Sequence, residues 1–163
     1  MKLILIVGLC AITTYIGYLL SKQYKLRRDL YVNLKDFVDK ISAEIKFKNL
    51  SVKDVCLANE KSYNGEFGKV IKSYLKCLDE KKDFSVDQVA MVKNYTDEER
   101  NLITNFFNSL GKFDLKTQIK DMDNFKCRFE EYCEEAKAEY KKYSSLFIKL
   151  GLIIGLAISI III

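Results

Sequence analysis

The chain has 163 residues, with 27 Lys and Arg against 22 Asp and Glu, five Cys, and no His, Pro or Trp. Without His there is no Ser-His-Asp or Cys-His pair, no His-containing zinc site, and no general acid or base whose unperturbed pKa lies near neutrality. Residues 3–20 and 150–163 carry no charge, whereas 21–149 hold 26 basic and 22 acidic groups, a pattern of neither a soluble globule nor a polytopic transporter.

Residues 3–20 (LILIVGLCAITTYIGYLL) form an 18-residue apolar run. At 1.5 Å per residue it reaches about 27 Å, close to the hydrocarbon thickness of a bilayer. It exceeds the h-region of a signal peptide and lacks a small-residue cleavage site, so an uncleaved membrane helix is expected. Thr13, Thr14 and Ser159 can bond back to their own helix carbonyls and do not oppose a span. Beyond the run, Leu30, Leu34, Phe37, Val38, Ile41 and Ile45 lie at helical spacing, which predicts one helix continuing to about Lys48.

Asn49 and Ser51 break it, and Ser51 is the expected N-cap of a short helix ending near Asn59. After the Asn64-Gly65 turn, Phe67, Val70, Ile71, Tyr74, Leu75 and Leu78 predict a further amphipathic helix that ends in the charged run 79–83. Ser85 is expected to open a short helix through about Asn94. Thr96-Asp97-Glu98-Glu99 reads as a capping box, with Thr96 and Glu99 bonding reciprocally, and Leu102, Ile103, Phe106, Phe107 and Leu110 follow it. Gly111 suits a left-handed stop after that helix, and Asp114 is the expected N-cap of the last one.

From Leu115, positions 115, 119, 122, 126, 129, 133, 136, 140, 143, 147 and 150 alternate steps of four and three, all apolar, aromatic or Ala except Lys126. Such a seam predicts one helix of about 50 residues packed on a partner helix. Its end, 146–163, is a second apolar run with a single Lys149 that can snorkel. The fold expected is all-α: an antiparallel hairpin of two long helices with short bridging helices, about six in all. Its parts are a membrane helix at 3–20, a helical domain at 21–145 and a membrane helix at 146–163. Lys22, Lys25, Arg27, Arg28, Lys35, Lys40, Lys137, Lys141, Lys142 and Lys149 flank the spans on the inner side, so the positive-inside rule places the middle in the cytoplasm and both termini across the membrane. The same cations can meet anionic headgroups, and the middle's net charge of +4 calls for no nucleic acid. Cys10, Cys56, Cys77, Cys127 and Cys133 include no C-x-x-C pair, so buried reduced thiols are expected and a metal site is not.

Three stretches are similar to the stage III sporulation protein AB family of endospore-forming bacteria. They are Gly17 followed by the basic run 22–28, Ser42-Ala43-Glu44-Ile45 before Leu50-Ser51-Val52, and Leu110-Gly111-Lys112-Phe113-Asp114. Their order between two terminal spans carries the resemblance along the whole chain. The family usually has Pro where Ser51 stands, and either residue begins a helix. The resemblance implies a component of the channel between mother cell and forespore, in the mother-cell membrane around the forespore. It also implies a cytoplasmic part similar to the helical domain of the type II secretion and type IV pilus platform proteins. The implied partners are the stage III sporulation protein AA-type ATPase, the other channel membrane proteins and the lipid bilayer.

Three functions compete on these residues. A scaffold would couple the ATPase to the membrane complex, with Phe67, Tyr74, Phe84, Tyr95, Phe106, Phe107 and Phe113 as candidate contact surface, although their helical spacing assigns most of them to the bundle's own core. A generic two-span adaptor or tethered regulator of another system would have the same fold. An enzyme fits least. Glu130, Glu131, Glu134 and Glu135 lie beside Lys137, Lys141 and Lys142 as a self-neutralising face, and Gly65-Glu66-Phe67-Gly68-Lys69 lacks phosphate-loop spacing. No catalytic residue, metal, cofactor or small-molecule substrate is expected.

Overall fold

The missing prolines and the long apolar spacing have their structural counterpart in two helices of unusual length. The computed structural model describes residues 2–48, 51–89, 95–112 and 115–162, and among these residues it is all-helical. Helix α1 is Lys2–Lys48, α2 Val52–Asn59, α3 Gly65–Glu80, α4 Asp97–Ser109 and α5 Leu115–Ile162, with 3-10 turns at Glu60–Ser62 and Val86–Gln88. Of the described helices, α5 is long and apolar enough to cross a membrane. The chain divides into two compact units, Met1–Tyr31 with Tyr132–Ile163 and, separately, Val32–Glu131. Each of the two long helices contributes a segment to both.

In the first unit, α1 and α5 meet through small residues. A Cβ on Gly17 would overlap the carbonyl oxygen of Phe147, one on Gly151 would lie 2.6 Å from that of Thr13, and one on Gly155 would lie 2.9 Å from Cys10 Cα. Further along, Tyr24 packs its ring 5.2 Å from that of Tyr143, and Tyr31 stacks at 5.3 Å on Tyr132. Contacts thus pair rising numbers in α1 with falling numbers in α5. Here the expected seam is corrected: beyond Phe147 the buried positions are Gly151, Gly155 and Ser159, in steps of four, and Leu150 faces outward. Only residues without bulk let two backbones approach this closely, and that constraint overrides the heptad count. Ser159 donates to Gly155 O at 2.7 Å and Thr13 to Leu9 O at 3.1 Å, so neither hydroxyl is left bare. Large apolar side chains point away from the pair instead, among them Ile12 at 60% exposure and Ile153 at 58%. This is the reverse of a water-facing helix.

The second unit has an aromatic core. Phe107 is its hub, with ring centroids 4.9 Å from Tyr74, 5.1 Å from Phe84, 5.1 Å from Phe106 and 6.0 Å from Phe37. Phe106 continues the cluster to Phe129 at 5.2 Å. Gly68 lets α3 lie against the backbone of Tyr63, since a Cβ there would come 2.5 Å from Tyr63 O.

Capping fixes where the helices begin. Ser51 Oγ accepts from Asp54 N at 3.2 Å. At α4 the capping box is complete: Thr96 Oγ1 accepts from Glu99 N at 3.2 Å and Glu99 Oε2 accepts from Thr96 N at 2.9 Å. Glu99 is buried, so its carboxylate also anchors the turn by accepting from Thr96 Oγ1 at 3.0 Å. Helix α4 stops at Leu110, and Gly111 follows with φ +77°.

One expectation about the connections changes. Ser85 caps only the 3-10 turn at Val86–Gln88, because the backbone is already extended at Val89, and the remainder of the expected helix, 90–94, lies outside the described residues. Helix α3 ends in the charged run 79–83, as expected, capped by Lys81 at φ 52°, with Lys82 N donating to Cys77 O at 2.9 Å. The segment leading into the 3-10 turn is held by Asn108, whose side-chain amide pairs with Phe84 N and O at 2.9 and 2.8 Å.

Candidate interaction site

Three of the capping residues singled out in the sequence come together in the second unit. Ser51, Leu110 and Gly111 line a cleft of about 480 Å³ with Ile45, Val52, Lys53, Tyr74, Leu78 and Gln118. All five described α-helices contribute: the end of α1, the N-terminus of α2, the second half of α3, the stop of α4 and the first turn of α5. The size lies within the range of ligand-binding clefts. Gly111 is needed at this rim for its positive φ, which costs an L side chain strain.

The lining is mixed, with Ser51 and Lys53 exposed at its edge and two polar points buried within it. Tyr74 is 2% exposed and Gln118 7%, yet neither Tyr74 Oη nor Gln118 Nε2 has a hydrogen-bond partner among the described residues. A buried polar atom left this way costs about 1–3 kcal/mol. Burial raises the Tyr74 phenol well above its ordinary pKa, with the neighbouring Cys56 adding to the effect. The hydroxyl therefore stays protonated and able to donate. Burial also pushes the Cys56 thiol up to about 12, which makes it a poor nucleophile. On the rim, Lys53 is held by Asp79 at 2.6 Å. Both atoms are covered in this conformation, so an acceptor reaches them only if the cleft wall shifts. The sequence offered Tyr74 as one of several candidate contact aromatics and Gln118 as nothing distinctive. The signal that could have found Gln118 is a polar residue one turn into a helix, next to an apolar seam.

The other residues proposed from sequence fall elsewhere. Thr96 and Glu99 cap α4 away from the cleft lining. Phe113 and Asp114 lie outside the described residues. Phe67, Phe84, Tyr95, Phe106 and Phe107 are 1%, 2%, 8%, 0% and 0% exposed, so these rings form the core that their spacing implied, and the contact-surface alternative is corrected for them. An edge-to-face cluster buries more apolar area inward than it would on a rim. The thiols are corrected in two places, since Cys127 is exposed and Cys10 half-buried while Cys56, Cys77 and Cys133 are buried.

Among the described residues no three His, Cys, Asp or Glu side chains group as a metal site. A family model described as Stage III sporulation protein AB matches residues 2–163. No curated protein and no solved structure matches the chain.

Proposed function

The chain belongs to the stage III sporulation protein AB family, and from that premise we propose that it is a non-catalytic membrane scaffold. It serves a secretion-like channel between mother cell and forespore, coupling a cytoplasmic secretion-type ATPase of the stage III sporulation protein AA type to the membrane complex. Residues 3–20 and 146–163 cross the mother-cell membrane as the two arms of an antiparallel hairpin, 21–145 lie in the cytoplasm, and both termini lie on the opposite side.

The outward apolar side chains and inward small residues of the first unit support the membrane part of this reading. The observation that carries the partner part is the cleft of the second unit, where Tyr74 Oη and Gln118 Nε2 are buried without partners among the described residues. A partner loop that enters the cleft, shifts its wall and supplies acceptors to both covered donors removes their cost on binding. Nothing in that role calls for a reaction.

The reading is tested by co-purifying the full-length chain with the cognate ATPase from detergent-solubilised membranes, in wild-type, Tyr74→Phe and Gln118→Leu forms. The account expects the ATPase to be retained by the wild type and reduced about tenfold by either substitution, while both variants melt no lower than the wild type because an unsatisfied donor has been removed. An ATPase not retained by the wild type contradicts the reading.

A further inference from the structure

Charge is divided unevenly between the two units. Residues 32–131 hold 18 basic and 18 acidic side chains, whereas 1–31 and 132–163 together hold nine basic and four acidic ones, so the whole net charge of +5 belongs to the first unit. The four carboxylates there are all taken. Asp29 is paired with Arg28 at 2.6 Å, Glu134 with Lys137 at 2.8 Å, and Glu139 and Glu135 with Arg27 at 2.6 and 3.5 Å. Arg28 is further occupied by the ring of Tyr140, 4.1 Å away. Between the two apolar runs, what remains in this unit is Lys22, Lys25, Lys141 and Lys142, all exposed and none with a carboxylate partner among the described residues.

These four lysines share one level of the helix pair. Lys22 and Lys25 are three residues apart, hence on one helix face, and the Tyr24 ring between them packs 5.2 Å from Tyr143 and 5.7 Å from Phe147. Lys142 lies against the Tyr143 ring at 5.0 Å, a contact that leaves its charge uncompensated by any anion. The level therefore combines unneutralised cations with a cluster of aromatic rings, and the charge-free stretches 3–20 and 150–163 begin close beyond it. Aromatic rings beside lysines at the edge of an apolar stretch are the chemistry of the lipid headgroup layer.

We propose that Lys22, Lys25, Lys141 and Lys142 form a binding surface selective for anionic phospholipid headgroups. The inference rests on the reading that the charge-free stretches lie in a bilayer. It goes further, because orientation needs only basic residues, whereas selectivity needs basic residues not already neutralised by the protein. Lysine fits such a surface, since a point charge on a flexible stem can follow a mobile phosphate, while Arg27 and Arg28 are spent between the helices.

The test reconstitutes the full-length chain in vesicles of equimolar phosphatidylglycerol and phosphatidylcholine, re-solubilises it briefly, and measures co-retained lipid by native mass spectrometry. The wild type is expected to retain phosphatidylglycerol at least about fivefold over phosphatidylcholine, falling toward equal retention as salt rises. The variant K22Q/K25Q/K141Q/K142Q is expected to retain the two equally, and the corresponding fourfold Lys→Arg variant to keep the preference. Equal retention by the wild type at low salt, or an undiminished preference in a glutamine variant of unchanged helix content, overturns the proposal. Alkaline carbonate distinguishes the two levels of failure: a chain that it strips from the vesicles overturns the membrane reading as well, whereas a chain that stays without lipid preference overturns only this surface.

Discussion

The two units are built from the same two long helices yet are held together by opposite means. The first, along its charge-free end, excludes bulk from its contact: Gly17, Gly151 and Gly155 bring backbones together, and large apolar side chains face out. The second gathers bulk inward: Phe37, Phe67, Phe84, Phe106, Phe107 and Phe129 are all buried, around a polar surface with balanced charge. In water the hydrophobic effect rewards the second arrangement. In lipid it gives no driving force between helices, and close van der Waals packing takes over. A single helix can therefore change its packing rule along its length, and α5 does so near Phe147, where steps of three and four become steps of four.

The comparison can be broken by treating each unit with the other's chemistry. The largest effect is expected in the second unit. Phe107→Ala removes the hub ring and should cost about 3–5 kcal/mol in denaturant unfolding of the full-length protein in detergent, followed by near-ultraviolet circular dichroism. A loss below about 1 kcal/mol, well under that range, would mean the aromatic cluster is not the core's keystone. In the first unit, Gly151→Leu adds apolar surface that lipid would tolerate, but its Cβ would lie 2.6 Å from Thr13 O and 3.1 Å from Thr14 Cα. Thermal unfolding in detergent should show destabilisation of about 1–3 kcal/mol by overpacking, where unaltered stability would deny the close contact.

Smaller effects sharpen the picture of the second unit. Thr96→Ala breaks the capping box and should destabilise by about 1 kcal/mol, with the loss measured as a shift in the urea midpoint. The smallest is pH-dependent. Burial works against the charged form of Asp36, but hydrogen bonds from Lys40 and Tyr63, with the Lys40 charge, outweigh it and hold the carboxyl below its ordinary value. A carboxyl depressed in the folded state contributes its stability in full above the unfolded pKa near ~4, and loses it as pH falls through the native one. Between about pH 5 and pH 2 the wild type should therefore lose slightly more stability than Asp36→Asn; parallel curves would remove Asp36 from the acid response.

Most helices could be read from the sequence because their signals are local. Thr96 and Glu99 sit three apart, Ser51 precedes an apolar run, and Gly111 follows one, so each cap needed only its neighbours. What escaped depends on distant partners. Leu150 fits a heptad as well as Gly151 does until the backbone of Thr13 is placed opposite. Lys81 occupies a left-handed cap where a glycine would be expected, and Asn108 mimics a backbone strand for Phe84, 24 residues away. The cleft escaped for the same reason, since its lining comes from five helices and its two distinctive atoms matter only because no described residue meets them. The aromatic residues were legible as a set, but whether a helical face turns to core or partner is decided by what packs on it.

The central claim is the proposed topology, with the charge-free ends in lipid and the second unit in the cytoplasm. The exposed Cys127 of the second unit is a native reporter, since Cys56, Cys77 and Cys133 are buried. Oriented vesicles from cells expressing the full-length chain can be treated with a membrane-impermeant maleimide, and the labelled cysteine located by mass spectrometry. The account predicts rapid modification of Cys127 in inside-out vesicles and protection in right-side-out ones. Labelling of Cys127 from the outer face would contradict it.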